Sequence, residues 1–388
     1  MKKAAALILA VILVMSFAAC GKPAASEDAS AIKLGGIGPI TGPVAIYGSA
    51  TKNGAEIAVE EINALGGIQF VLNWQDDEHD AEKSVNAYNN LKDWGMKILV
   101  GTTTTNPSIA VSPEASADKI FMLTPSASSL DVLGGQTEGI ARKEGVFQMC
   151  FTDPNQGTAS AQYIAQNGLA ENIAVIYNNA DPYSTGIYNK FMAEAEIQGL
   201  NVVSVTTFTD DTASDFSVQL GEAKNAGADM LFLPIYYTPV SLILSQANGM
   251  GYKPNVFGVD GMDGILAVEG FDSSLAEGVM LLTPFSADAE DEKTQNFVKK
   301  YQEKVGEVPN QFAADAYDCV YAIYEAVKQY NITADMSAEE MWEILNKAFT
   351  TDFTFNGLTG ENMTWSESGE VAKAPKGMII QNGVYVGM

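Results

Sequence analysis

Thr102, Thr103, Thr104 and Thr105 stand in a row after an apolar run and before Asn106-Pro107. Ser126, Ser128 and Ser129 follow the next apolar run, in Thr124-Pro-Ser-Ala-Ser-Ser129. Hydroxyls and backbone N–H groups gathered at the start of a helix can hold an anion. Rings and a carboxylate occupy comparable places elsewhere. Tyr47 lies in GPITGPVAIYG (38–48), and Tyr183 lies in NNADPYSTG (178–186). Tyr236 and Tyr237 lie in PIYYTP (234–239), and Asp260 lies in VFGVDGMDG (256–264). Arg142 is the single arginine, so a bidentate guanidinium clamp on a carboxylate is nearly excluded. Hydroxyl loops for a negative end and one acid for a positive end suit a small zwitterion.

Catalytic chemistry finds less support. The single histidine, His79, sits in Asp76-Asp77-Glu78-His79-Asp80. The plain reading of that stretch is a hydrated acidic loop, because acids adjacent in sequence rarely converge on one ion. No GxSxG, Walker A or paired-cysteine zinc pattern occurs. Gly36-Ile-Gly38-Pro-Ile-Thr-Gly42 echoes a dinucleotide fingerprint, but its third glycine is late and Pro39 interrupts the turn. No enzyme, cofactor or metal site is expected. A sugar site is also disfavoured, since Trp74, Trp94, Trp342 and Trp365 all lie away from the loops above.

Those loops must be positioned by what precedes them. Strand-like runs at 32–37, 70–74, 98–101 and 120–124 alternate with amphipathic stretches. In Ser49–Leu65, Ala55, Ala58, Val59, Ile62 and Leu65 recur at helical spacing, and Gly66-Gly67 stops the helix. A second batch of strands follows at 173–177, 202–207, 230–234 and 279–282, with helices near 156–167, 185–198, 214–226, 238–250 and 289–305. This alternation predicts an α/β protein of two lobes, each a doubly wound parallel sheet. FTFNG, ENMTW, KGMII and GVYVG near the end have an antiparallel character. In open α/β sheets ligands sit beyond the C-terminal strand ends, where all the loops above fall.

Across its 388 residues the chain carries a formal net charge of −26. Nucleic acid and anionic lipid are therefore unfavourable partners. Lys2 and Lys3, an apolar run to Val14 and Ala18-Ala19-Cys20 form a signal peptide over 1–19. The apolar run falls short of the roughly 20 residues of a spanning helix. The ending resembles a lipobox, with Phe17 where an aliphatic residue is usual, which implies a diacylglycerol on Cys20. Residues 20–31 then read as a lipidated cysteine and flexible tether. The expected location is outside the cell membrane, held only by that lipid. Cys150 and Cys319 lie in apolar surroundings and read as two buried thiols.

Taken together, GPITGPVAIYG, NGAEIAVEEINALGGI, LTPSASS, DFSVQL with its trailing AGAD, and FGVDG resemble the leucine/isoleucine/valine-binding receptors of ABC transporters. The likeness runs over essentially the whole body. It implies a Venus-flytrap of two lobes, 32–149 plus 284–372 and 150–283 plus 373–388, joined by three crossings near Cys150, Pro284 and Lys373. It implies a monomer that passes an amino acid, branched-chain above others, to a permease in the membrane. The alternatives are a ligand sensor of the same fold or a receptor for another small amide or carboxylate. Residue by residue, Thr105 matches the hydroxyl that holds the α-carboxylate, and Ser126 and Ser128 match contacts to the same head group. Tyr183 and Tyr237 match the rings that close over the ligand, with Tyr236 an alternative to Tyr237. Asp260 matches the carboxylate that pairs with the ammonium, although relatives commonly carry Glu and Asp263 is a near competitor. Tyr47 matches a residue beside the ligand side chain. Ile46 is a candidate aliphatic wall.

Overall fold

The computed structural model describes residues 30–135 and 139–388. The signal peptide, Cys20 and nearly all of the expected tether lie outside them.

The first lobe is built on five parallel strands: β1 (Ile32–Ile37), β2 (Phe70–Gln75), β3 (Ile98–Val100), β4 (Phe121–Thr124) and β5 (Val146–Gln148). Their order is β2-β1-β3-β4-β5. Helices α1 (Ala45–Leu65), α2 (Ala81–Trp94), α3 (Thr105–Ala117) and the short α4 (Leu130–Leu133) connect them. The second lobe continues with α5 (Asp153–Asn167), β6 (Ile173–Asn178), α6 (Pro182–Gln198), β7 (Val202–Phe208) and α7 (Ser217–Asn225). It then adds β8 (Met230–Leu233), α8 (Tyr237–Gly249), β9 (Asn255–Gly258) and β10 (Met280–Thr283). Three long helices follow: α9 (Glu292–Val305), α10 (Gln311–Gln329) and α11 (Ala338–Thr351). A hairpin of β11 (Lys376–Gln381) and β12 (Val384–Gly387) closes the chain. The second sheet runs β12-β11-β10-β9-β8-β6-β7, with only the hairpin strands antiparallel.

Helices α9 to α11 return to the first lobe. Lys300 of α9 pairs with Glu61 of α1 at 2.6 Å, and Tyr317 and Tyr321 of α10 donate to the same carboxylate. A Cβ on Gly54 of α1 would stand 2.0 Å from the Ala313 carbonyl, so this close helix crossing requires glycine there. Phe349 of α11 packs among Phe121, Phe147, Phe353 and Trp365 at centroid distances of 4.9, 5.3, 4.8 and 4.5 Å. Strands β3, β4 and β8 are buried end to end, as central strands of sheets covered on both faces demand.

The chain therefore passes between the sheets three times: from β5 to α5, from β10 to α9, and from the Trp365–Val371 bridge to β11. Cys150 lies at the first passage, and both it and Cys319 are buried free thiols. Lys373 lies at the third passage and makes a fully buried ion pair with Asp315 of α10, 2.7 Å apart.

Candidate functional site

The C-terminal ends of both sheets face each other, and the loops leaving them enclose a small chamber. It is lined by Tyr47, Thr104, Thr105, Ser126 and Phe312 from the first lobe and by Tyr183, Tyr236, Asp260 and Gly261 from the second. Its volume is about 10 Å³, room for one water-sized sphere. The rings of Tyr47, Tyr183, Tyr236 and Phe312 make up much of its wall.

The threonine run divides its labour. Thr102 shares a hydrogen bond with Ser108, and Thr103 shares one with Thr51 (3.0 Å) and donates to the Ile37 carbonyl (3.3 Å). Those two fasten the loop. Thr104 caps α3 in extended conformation and Thr105 opens its first turn, so this helix N-terminus and its hydroxyls meet the chamber. A helix start of this kind carries partial positive charge.

Asp260 opens a short 3₁₀ turn, Asp260–Met262, directly after β9. It is 4 % exposed. Its Oδ1 accepts from the Tyr183 hydroxyl at 2.6 Å, and that hydroxyl in turn accepts from the Gly261 N–H at 2.9 Å. Burial pushes the carboxyl up to about 7 despite the Tyr183 hydrogen bond. No cationic side chain among the described residues pairs with it.

Four rings surround this acid. Tyr183 stacks on Tyr236 at 4.7 Å and 13°. Tyr47 crosses from the first lobe, donates to the Gly261 carbonyl and accepts from the Tyr237 N–H. Phe312 lies 4.5 Å from the Tyr47 ring. Further hydrogen bonds tie the lobes together: Thr238 to the Pro43 carbonyl (2.8 Å), and Gln311 to the Asp260 carbonyl (3.2 Å) and the Asp263 carboxylate (3.0 Å). The lobes are closed.

Of the seven residues expected from sequence, five meet here: Tyr47, Thr105, Ser126, Tyr183 and Asp260. Two stand one layer back. Tyr236, not Tyr237, lines the chamber, because Tyr236 caps α8 in extended conformation while Tyr237 is its first helical residue. The Tyr237 ring packs on Tyr47 at 4.8 Å, and its hydroxyl accepts from the Ile46 N–H at 3.3 Å. Ser128 is fully buried behind the wall, where its carbonyl accepts from the Asp153 N–H at 3.0 Å. Asp153 is 1 % exposed, and burial raises its carboxyl well above the usual range. Ile46 faces a different cavity.

Phe312 and Thr104 were not singled out from the sequence. Asn310, whose side chain accepts from the Ala313 N–H, signals the helix start that places Phe312. The stretch around His79 is also more ordered than a hydrated loop. Asp76 accepts from the Thr41 hydroxyl (2.6 Å) and Asp77 from the His79 N–H (3.0 Å). The His79 ring bonds Thr104 Oγ1 through Nδ1 at 2.8 Å and meets Tyr236 edge-on at 5.7 Å.

Two closed parallel-sheet lobes around an acid, hydroxyls and rings define an interlobe binding protein, and known proteins bear this out. The chain matches the periplasmic binding protein family over residues 31–378. It belongs to that family, whose members are extracytoplasmic solute-binding proteins. It is 33% identical over 245 residues to Leu/Ile/Val-binding protein homolog 3 of Brucella melitensis, a match covering 61% of this chain and 63% of that one. The match thus spans under two thirds of that relative. A longer match, 26% over 365 residues and 92% of each chain, is to the leucine-, isoleucine-, valine-, threonine-, and alanine-binding protein of Pseudomonas aeruginosa. Among solved structures, LivJ from Streptococcus pneumoniae in complex with isoleucine is similar at TM-score 0.80 and 26% identity, covering 92% of this chain and 99% of that one. The leucine binding protein LivK from Thermotoga maritima is similar at TM-score 0.80 and 26% identity, covering 92% and 97%.

Proposed function

We propose that this protein captures an α-amino acid between its lobes, outside the membrane, and delivers it to an ABC permease. The observation that carries this reading is Asp260, a buried carboxylate with no cation of its own, facing the hydroxyls and helix start at Thr104 and Thr105. An ammonium beside Asp260 and a carboxylate at Thr105 would complete both halves. Ser126 would add to the carboxylate contacts, and Tyr183, Tyr236, Tyr47 and Phe312 would form the walls. Tyr237 and Ser128 would support them from behind. The relatives, named as Leu/Ile/Val-binding proteins and as LivJ in complex with isoleucine, favour a branched-chain ligand.

Admission of any amino acid requires the rings to move apart, which hinge motion at the three passages allows. The moving bodies would be 32–149 plus 284–372 and 150–283 plus 373–388. Closure is then driven by the ligand's preference for the closed arrangement. The protein would act as a monomer without catalytic activity, held near its permease by lipid on Cys20.

A thermal-shift screen of the natural amino acids tests this. Leucine, isoleucine or valine at about 100 times its dissociation constant should stabilise the protein by roughly 2.7 kcal/mol. A shift with sugars or non-zwitterionic acids, and with no amino acid, refutes the reading.

A further inference from the structure

The space between the lobes holds two chambers. One is the small polar chamber of Asp260. The other is far larger, about 930 Å³. Both lobes wall it: Ile46 and Val305 from the first, and Leu266, Leu281, Met378 and Val386 from the second. At its edge stands Asp263, three residues after Asp260 and 5 % exposed. Its Oδ2 accepts from the Gln311 N–H at 3.0 Å. Its Oδ1 meets no donor in hydrogen-bonding geometry, although the Tyr385 hydroxyl lies beside it. Asp288 and Glu307 also line the chamber, and none of its lining residues is Lys, Arg or His.

We propose that this outer chamber is a second binding site, for an organic cation that joins a primary ammonium to an aromatic or branched apolar body. Its volume lies in the range of small-molecule sites, whose walls are mainly apolar with few polar groups. The apolar side chains would bury the body of such a ligand. The ammonium would answer Asp263, a buried acid that otherwise lacks a positive partner. An anion of the same shape would meet three acids and no base. Because the walls belong to both lobes, an occupant favours the closed arrangement. It must then strengthen binding in the inner chamber, and be strengthened by it in turn. The inference goes beyond the amino-acid reading and does not depend on which solute the inner chamber takes.

Calorimetry on the purified protein tests it, with tryptamine as probe and 3-indolepropionate as its anionic counterpart. Tryptamine should bind saturably and 3-indolepropionate should not. Ala267→Trp places a ring in the chamber from an exposed position, so folding is preserved. It should weaken tryptamine at least tenfold, and Asp263→Asn should do likewise if the variant folds. Asp260→Asn should leave tryptamine affinity within about twofold. The proposal is overturned if tryptamine does not bind, or if 3-indolepropionate binds as well. It is equally overturned if Asp260→Asn abolishes tryptamine binding while Ala267→Trp leaves it unchanged, for then the amine sits in the inner chamber.

Discussion

Asp315 and Asp260 are both aspartates buried where the lobes meet, and they are treated in opposite ways. Asp315 accepts from Lys373, whose ammonium also donates to Thr359 at 2.6 Å. Burial raises its carboxyl to about 6 against the pull of that lysine. Asp260 has a tyrosine hydroxyl and no cation, and burial takes it to about 7. The difference separates structure from function. A buried charge the chain satisfies itself holds the third passage in place. A buried charge left without its counter-ion is a cost to the fold that a ligand can remove.

The largest effect expected from this contrast is on stability. Lys373→Met strands a buried carboxylate and should cost about 3–5 kcal/mol of unfolding free energy, measured by urea titration. Asp260→Asn removes a charge that has no partner, so the ligand-free protein should lose no stability. If the two substitutions destabilise equally, the contrast fails.

Affinity should respond the other way round. Asp260→Asn leaves the ligand's ammonium without its partner and should weaken amino-acid binding by roughly 2–5 kcal/mol, read by calorimetry.

How much of this contrast the sequence disclosed depends on the element. β1 was legible to the residue, because Ile32, Leu34 and Ile37 follow a polar stretch and end at Gly38-Pro39. Asp260 was legible through FGVDG, which resembles the receptor family, and not through the strand before it. Helix α10, which carries both Asp315 and Phe312, was not. It is buried on nearly every side, with Asp315, Tyr317 and Asp318 among the buried positions, so no clean apolar stripe marks it. Strands β5 (VFQ) and β9 (NVFG) each hold only two consecutive large apolar residues, where the equally short β3, β4 and β8 hold three or more. Tyr236 and Tyr237 are adjacent residues of one type. Only the point at which the backbone turns helical decides which of them faces the chamber.

pH sharpens the comparison with a smaller effect. A carboxyl at about 7 in the fold and near 3.8 when unfolded holds an extra proton in the folded state between those values. Stability from this group is therefore retained at low pH and falls as pH rises from about 4 to about 7. The slope is up to about 1.4 kcal/mol per pH unit. Asp181, also raised to about 7 chiefly by burial, acts in the same direction. His79, lowered by burial, opposes them at pH below its ordinary value. Melting temperatures of the ligand-free protein should fall between pH 5 and 7, and Asp260→Asn should flatten that slope. An unchanged slope would show that Asp260 is ionised throughout.

The smallest effect concerns closure. Tyr47→Phe keeps the ring but removes the hydroxyl that joins Gly261 and Tyr237 across the lobes. It should weaken ligand binding by about 1 kcal/mol, roughly fivefold, with a faster dissociation rate in stopped-flow measurements.

The most direct test of the account compares leucine with 4-methylpentanoate, the same molecule without its ammonium. Wild-type protein should prefer leucine by at least about 100-fold, and Asp260→Asn should reduce that preference to below about tenfold. A preference that survives Asp260→Asn unchanged would mean the ammonium is recognised elsewhere, and the assignment of Asp260 would be wrong.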